Sequence, residues 1–340
     1  MLLLSLFGAG IDYILLSFAP TLAWLFVGRI VAGITAASFT VANAYIADVS
    51  PPERRAQNFG VIGAAFGLGF IIGPLVGGVL GTFGPRVPFM AAGALTLLNW
   101  LYGFFVLPES LAPENGRNFS LRNANPLATL GALGRYPVVL NLTAVVVCNN
   151  LAGLALQSTW VLYNAYRFNW TALEQGLSLA LVGVIAIVVQ GWLIRVLQPR
   201  LGERRLLLIS LVSSVIGLVL YGLATQGWMM YVIMTVTALS FLSQPAAQGL
   251  ISNAVKPNEQ GAIQGALTSM ISLTAIVGPI VGANVFSYFT APEQPFKVPG
   301  AAFFLGAALT VVGLLLALRI FGRLPSVAPA TPVPEFTPET

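Results

Sequence analysis

Residues 60–81 read GVIGAAFGLGFIIGPLVGGVLG, a run with no charged side chain and with glycine at eight positions. At a rise of about 1.5 Å per residue, a helix of this length covers roughly 30 Å, the thickness of a bilayer's hydrocarbon core. The glycines are not scattered. Gly60 is followed after eight residues by Gly69, after three more by Gly73-Pro74, after two by Gly77-Gly78, and after two by Gly81. Small residues let helices approach closely in lipid, and a Gly-Pro pair weakens the hydrogen-bond ladder enough to permit a bend. The stretch reads as a membrane-spanning helix built to pack against others.

The rest of the chain agrees. Its 340 residues are 57% hydrophobic and only 8% charged, against roughly a quarter charged in soluble domains. Apolar runs follow one another, and in lipid their backbone groups can be satisfied only as helices. The spacing predicts ten spans: Leu2–Ala19, Leu22–Ala47, Phe59–Leu80, Pro88–Leu107, Val138–Leu162, Leu173–Leu197, Leu206–Ala224, Met229–Ile251, Ile263–Phe289 and Ala301–Phe321. Between them, Pro108–Tyr136 carries Glu109, Glu114, Arg117, Arg122 and Arg135 among prolines and asparagines, the composition of a solvated linker. The expected organisation is therefore a four-helix bundle over 1–107, a cytoplasmic linker over 108–136 and a six-helix bundle over 137–323. A Pro-rich cytoplasmic tail over 324–340, too poor in apolar residues for a core, is expected to be disordered.

Net charge is +5. The positive residues Arg54, Arg55, Arg117, Arg122, Arg135, Arg195, Arg200, Arg204, Arg205, Lys256, Arg319 and Arg323 fall on one side of the predicted membrane, and Arg86, Arg167 and Lys297 on the other. Cytoplasmic loops hold the excess of Lys and Arg, so the C-terminus is expected in the cytoplasm of a cell-membrane protein. The basic balance is thus a topology signal and not a nucleic-acid footprint. With one cysteine, Cys148, and no histidine, an intramolecular disulfide is excluded and a zinc cluster is not expected. No GxxxxGK[ST] loop for ATP is present, nor any clustered nucleophile, base and metal ligands, so neither an ATP-driven pump nor an enzyme is expected.

The chain repeats itself at an offset of 205 residues. Ser5 falls on Ser210, Ile11 on Ile216, Pro52 on Pro257, Gly60 on Gly265, and Gly73, Pro74 and Gly77 on Gly278, Pro279 and Gly282. Parallel repeats about an axis along the membrane normal characterise one transporter architecture, with the substrate between two six-helix halves. Four spans against six leave Pro137–Arg205 without a counterpart. A start truncated by about two helices is the reading that follows.

Ionisable residues well inside spans are two, Asp12 and Arg29. Each lies eight or nine residues from Pro20 at the hairpin tip, so both sit roughly 12 to 14 Å below it and can face one another. They form either a structural ion pair or a carboxylate–guanidinium pair whose proton binding biases a conformational equilibrium. Among uncharged polar groups, Asn43, Gln157, Trp160 and Gln248 are candidates for a substrate cavity or for bonds to a neighbouring helix, as are Gln190, Asn149 and Asn150.

The spacing Gly60, Gly69, Gly73, Pro74, Gly77, Gly78, Gly81 resembles the antiporter motif of the drug/proton exporters of the major facilitator superfamily. Gly28-Arg29-Ile30-Val31-Ala32-Gly33-Ile34-Thr35 with Tyr45-Ile46-Ala47-Asp48 is similar to the fourth helix of that family. Over nearly the whole chain the likeness is to tetracycline-type efflux proteins, through Leu107-Pro108-Glu109-Ser110, Trp160-Val161-Leu162, Arg167-Phe168, Gly176 with Ser178-Leu179-Ala180, Leu201-Gly202-Glu203, and Pro245 with Gln248-Gly249. The resemblance implies a major facilitator fold lacking its first two helices. It implies a proton-coupling role for Asp12 and Arg29, a cavity reached by Asn43, Gln157, Trp160 and Gln248, and a gating loop at Arg200, Gly202, Glu203, Arg204 and Arg205.

The loop also reads as a basic segment that fixes topology. Ser213, Ala186 and Leu154 stand where tetracycline exporters carry an acid, a histidine and a glutamine. The implied function is export of a small organic molecule, tetracycline-like or multidrug, by a monomer driven by the proton gradient without a cofactor. The alternatives are a non-transporting remnant and an uptake facilitator of the same fold.

Overall fold

The computed structural model describes residues 2–35, 41–42, 45–46, 55–107, 136–255 and 260–323, and among these every regular element is a helix. Asn43, Asp48, most of the expected linker and the expected tail lie outside the described residues.

The first bundle comprises α1 (Leu2–Phe18), α2 (Leu22–Thr35), α3 (Arg55–Gly81) and α4 (Val87–Val106). Helix α1 packs on α4 and α2. Its buried residues are Ser5, Gly8, Gly10, Asp12 and Ser17, the small and polar ones, while Leu4, Phe7 and Phe18 are exposed. That is the pattern of a helix in lipid, where apolar side chains need no shelter and close packing supplies the association. On α2 Gly28 is the buried position, and Phe26, Ile30 and Ile34 point outward.

The second bundle begins with α5 (Pro137–Phe168), around which α10 (Gln260–Thr290) and α11 (Ala301–Arg323) pack. Helix α5 stops at Asn169, whose left-handed φ of 54° lets its N–H turn back to the carbonyl of Ala165 at 3.1 Å. Thr171 then caps α6 (Ala172–Ala186) through a capping box with Glu174. After a π-helical turn at Ile187–Leu193, α7 (Ile194–Leu223) continues and packs on α11.

The two expected spans Leu173–Leu197 and Leu206–Ala224 thus form one helical path. Gly202, at φ 71° and ψ 161°, supplies the break between them. The expected span Met229–Ile251 consists of α8 (Gly227–Val236), a 3₁₀ turn at Ala238–Leu242 and α9 (Ser243–Asn253), bent by 50°. Counted on both sides of Gly202, and with the bent pair as one, the described helices supply the ten expected segments.

The core of the second bundle is aromatic. The Tyr163 ring lies 4.6 Å from that of Phe303, and its hydroxyl donates to the carbonyl of Tyr221 at 2.9 Å. Trp160 meets Tyr221 edge-on with centroids 5.3 Å apart. Edge-to-face pairs of this kind add about 0.5–1.5 kcal/mol beyond the area they bury.

The bundles meet where α3 lies along α6. A Cβ built on Gly176 would fall 2.5 Å from the carbonyl oxygen of Pro74, and one on Gly183 would fall 2.8 Å from the Ile71 side chain. Glycine at these positions is what lets the two backbones touch.

Candidate functional site

Asp12 and Arg29 come together. The hairpin at Ala19–Thr21 returns the chain so that α2 runs back along α1, and Arg29 Nη2 donates to Asp12 Oδ2. The pair is lopsided. Asp12 is buried, whereas 58% of the Arg29 side chain is exposed. Gly28 makes the burial possible, since a Cβ there would stand 2.6 Å from Asp12 Oδ1. That second carboxylate oxygen is buried and has no hydrogen-bond partner among the described residues. A buried acid with one oxygen paired to a guanidinium and the other unpaired has an open place for a proton. Leaving a buried acceptor unsatisfied costs about 1–3 kcal/mol, which protonation or a water can offset.

The glycine motif divides by face. Gly78 and Gly81 look at α6, where a Cβ on Gly78 would stand 2.9 Å from the carbonyl oxygen of Ala172 and one on Gly81 would stand 2.9 Å from the Ala172 Cβ. Gly69, Gly73 and Gly77 meet nothing within 4 Å among the described residues. Their repeat counterparts differ. Built Cβ atoms on Gly278 and Gly282 would strike α5, at 2.7 Å from the Leu154 Cβ and 2.8 Å from the Ala155 Cα. The motif's close contacts therefore join the two bundles, and no described residue meets its other face. For Gly60 the structure establishes a place on α3 and no side-chain environment.

Three cavity candidates separate on inspection. Trp160 is buried, and its indole N–H donates to Ser178 Oγ at 3.1 Å, so it braces α5 against α6. Gln157 is exposed, three residues earlier on α5. Gln248 donates to Gln264 across α9 and α10 and lines a cavity of about 340 Å³. Asn43 lies outside the described residues. Asn149 donates to Ser243 Oγ at 3.1 Å and Asn150 to Thr274 Oγ1, both tying α5 to neighbours.

The arginine-rich bend is organised by its acid. Glu203 accepts from Gln198 Nε2 at 3.2 Å and from Asn253 Nδ2 at 3.0 Å, which fastens the bend to the end of α9. Gly249 leaves room for it, because a Cβ there would lie 2.4 Å from Glu203 Oε1. Gly202 makes the turn. Arg204 stacks 5.8 Å over the Phe321 ring of α11, while Arg200 and Arg205 are exposed. The glutamines around Gln248 and the anchoring of Glu203 on Asn253 were not distinguishable in sequence, since both depend on how α9 is rotated after its break.

Two packed helical bundles, an ion pair on a buried carboxylate and a polar cavity at one end define a multi-pass membrane transporter. The chain belongs to the Major Facilitator Superfamily, whose family model matches residues 1–201 and again 195–338. It is 38% identical over 314 residues to the tetracycline resistance protein, class C, of Escherichia coli, covering 92% of this chain and 78% of that one. To the class E protein of Escherichia coli it is 36% identical over 324 residues, covering 94% and 78%. The crystal structure of the nucleoside transporter NupG matches with a TM-score of 0.74 at 14% identity, over 94% of this chain and 82% of that one. That likeness concerns the fold alone. By family the protein is a membrane transporter and not an enzyme.

Proposed function

We propose that the protein exports a small organic molecule in exchange for protons by alternating access, with Asp12 and Arg29 as the coupling pair. The observation that carries this reading is the unpaired, buried Oδ1 of Asp12 beside the Arg29 contact. A proton arriving there neutralises the carboxylate and weakens its hold on a guanidinium that is mostly exposed. That differential interaction is what a ligand needs in order to shift a conformational equilibrium. The seam of α3 on α6, where glycines let backbones slide without side-chain interlock, is the surface on which the two bundles would rock.

The arginine-rich bend and the C-terminus lie on the cytoplasmic side in this reading, following the distribution of positive charge. The working unit is a monomer in the cell membrane, driven by the proton gradient and without a cofactor. The kinship with tetracycline resistance proteins supports export. Ser213, whose hydroxyl donates to the Thr237 carbonyl at 3.1 Å, serves the α7 contact where the resemblance places an acid, so tetracycline is not singled out as the substrate.

The test is efflux of a fluorescent amphipathic drug from proteoliposomes under an imposed pH gradient. Gradient-dependent transport that disappears in Asp12→Asn and Arg29→Ala supports the reading. Transport that ignores the gradient in the parent sinks proton coupling and leaves a facilitator. A second reading, a chain that does not transport by itself, is favoured by the Gly69–Gly73–Gly77 face of α3, which meets nothing within 4 Å among the described residues. It predicts no flux for any probe from a folded, reconstituted protein.

A further inference from the structure

The cavity of about 340 Å³ at the arginine-rich end of the second bundle has a lining unlike the rest of the membrane interior. Gln190 enters it from the π-helical turn, Gln244 and Gln248 from successive turns of α9, and Gln264 from α10, with Thr268 one turn beyond. Four amides on three separate helical segments face one space. Gln248 donates to Gln264, but Gln190 and Gln244 have no hydrogen-bond partner among the described residues and are exposed to the cavity side. Among the described residues no carboxylate, ammonium, guanidinium or aromatic ring lines it, and its remaining wall is aliphatic.

The Gln190 and Gln244 side chains are both exposed, so water or a polar ligand can take up their donors and acceptors without displacing a protein partner. The π-helical turn points the same way. Adding one residue to a helical turn weakens the ladder, and such turns recur at functional sites because they re-aim a side chain. Here the re-aimed residue is Gln190. Ile187, one turn earlier, comes within 3.5 Å of the place a Cβ would take on Gly67 of α3, so the cavity opens beside the seam between the bundles.

We propose that this glutamine cluster is a binding subsite for an uncharged organic molecule bearing both N–H or O–H donors and carbonyl acceptors. The proposal rests on the transport reading above and names the substrate class of that reading. Each amide offers two donors and an acceptor, so the cluster matches a ligand that alternates the two. A permanent cation finds neither an anion nor an aromatic face among the described residues that line it. The volume lies at the lower end of the roughly 300–1,000 Å³ of small-molecule sites, which suits one polar edge of a drug-sized ligand.

Equilibrium dialysis of the purified full chain in detergent tests this, with chloramphenicol as the uncharged donor–acceptor probe and ethidium as the cation. Chloramphenicol should bind, and Gln190→Leu and Gln264→Leu should each weaken it about tenfold, the value of one lost hydrogen bond to a satisfied site. Ethidium binding should be unchanged in both. A second measurement leaves the four amides in place: in a Cys148→Ala background, chloramphenicol should protect Thr268→Cys, at the cavity wall, from a methanethiosulfonate reagent. No chloramphenicol binding by the parent chain, unaltered binding in Gln190→Leu with Gln264→Leu combined, or no protection overturns the assignment. The assay uses no gradient, so glutamine-dependent binding without pumping would remove the export reading and keep the site. Pumping of ethidium with no chloramphenicol binding would do the reverse.

Discussion

Gly78 of α3 and Gly176 of α6 are in backbone contact, for a Cβ on Gly78 would lie 3.0 Å from the Gly176 Cα, and one on Gly176 would lie 2.8 Å from the Gly78 Cα. Neither side has a flexible side chain that can move aside. Gly176→Val should therefore separate the helices or unfold the protein, costing about 1–3 kcal/mol or more as overpacking does. Gly73→Ala, four residues before Gly77 on the face that no described residue meets, should leave stability unchanged or slightly raised, because Ala is the better helix former. Thermal unfolding of the detergent-solubilised variants reads both effects. Equal losses for the two would show that the faces of α3 are not distinguished as described.

Trp160 is expected to behave as core. Its indole spans from Tyr221 to Ser178. Trp160→Phe should cost about 1 kcal/mol for the lost hydrogen bond, and Trp160→Ala about 3–5 kcal/mol for the cavity. The measurement is denaturation, with the relative transport of different substrates followed in parallel. A changed substrate preference in a fully stable Trp160→Phe would return this residue to the cavity.

The contrast between Trp160 and Asp12 shows how far the residues could be read without coordinates. Helical rise alone placed Asp12 and Arg29 at one depth, and a charge in lipid needs a partner, so their pairing was legible. The direction of the Trp160 indole depends on the rotation of α5 against α6, on which its neighbours in sequence are silent. The break between α8 and α9 and the π turn at Ile187–Leu193 are equally hidden, since those stretches keep the apolar composition of regular spans. The glycine motif announced close packing, but that Gly78 and Gly81 would take the contact while Gly73 and Gly77 faced away emerged only with α6 in place.

The Glu203–Asn253 contact makes a separate prediction. Glu203 is the acid of a basic bend and holds α7 to the end of α9. In a double-mutant cycle, Glu203→Ala and Asn253→Ala should couple by about 0.5–1.5 kcal/mol, the worth of one partly exposed hydrogen bond. Gly249→Ala should reproduce the Glu203→Ala phenotype, since its methyl group would occupy the carboxylate's place. Additive single effects would mean that the bend is held by other contacts, such as Arg204 over Phe321.

The order of stabilities among the charge variants of the Asp12–Arg29 pair is the sharpest check on its burial. Removing one member of a fully buried pair costs about 3–5 kcal/mol, chiefly by stranding the other charge. Here the two ends are not equivalent. Arg29→Ala strands a buried carboxylate, whereas Asp12→Asn strands a guanidinium that the described residues leave 58% uncovered and whose long stem lets it turn toward a more polar depth. Arg29→Ala should therefore be the more damaging single change, by less than the fully buried figure because Arg29 is so exposed. Asp12→Asn combined with Arg29→Ala should recover part of that loss, as the stranded charge is gone. Unfolding in detergent at fixed pH ranks the three. If Asp12→Asn proves the worse single variant and the double variant is worse still, the pair is held by packing around Asp12 and not by its charge.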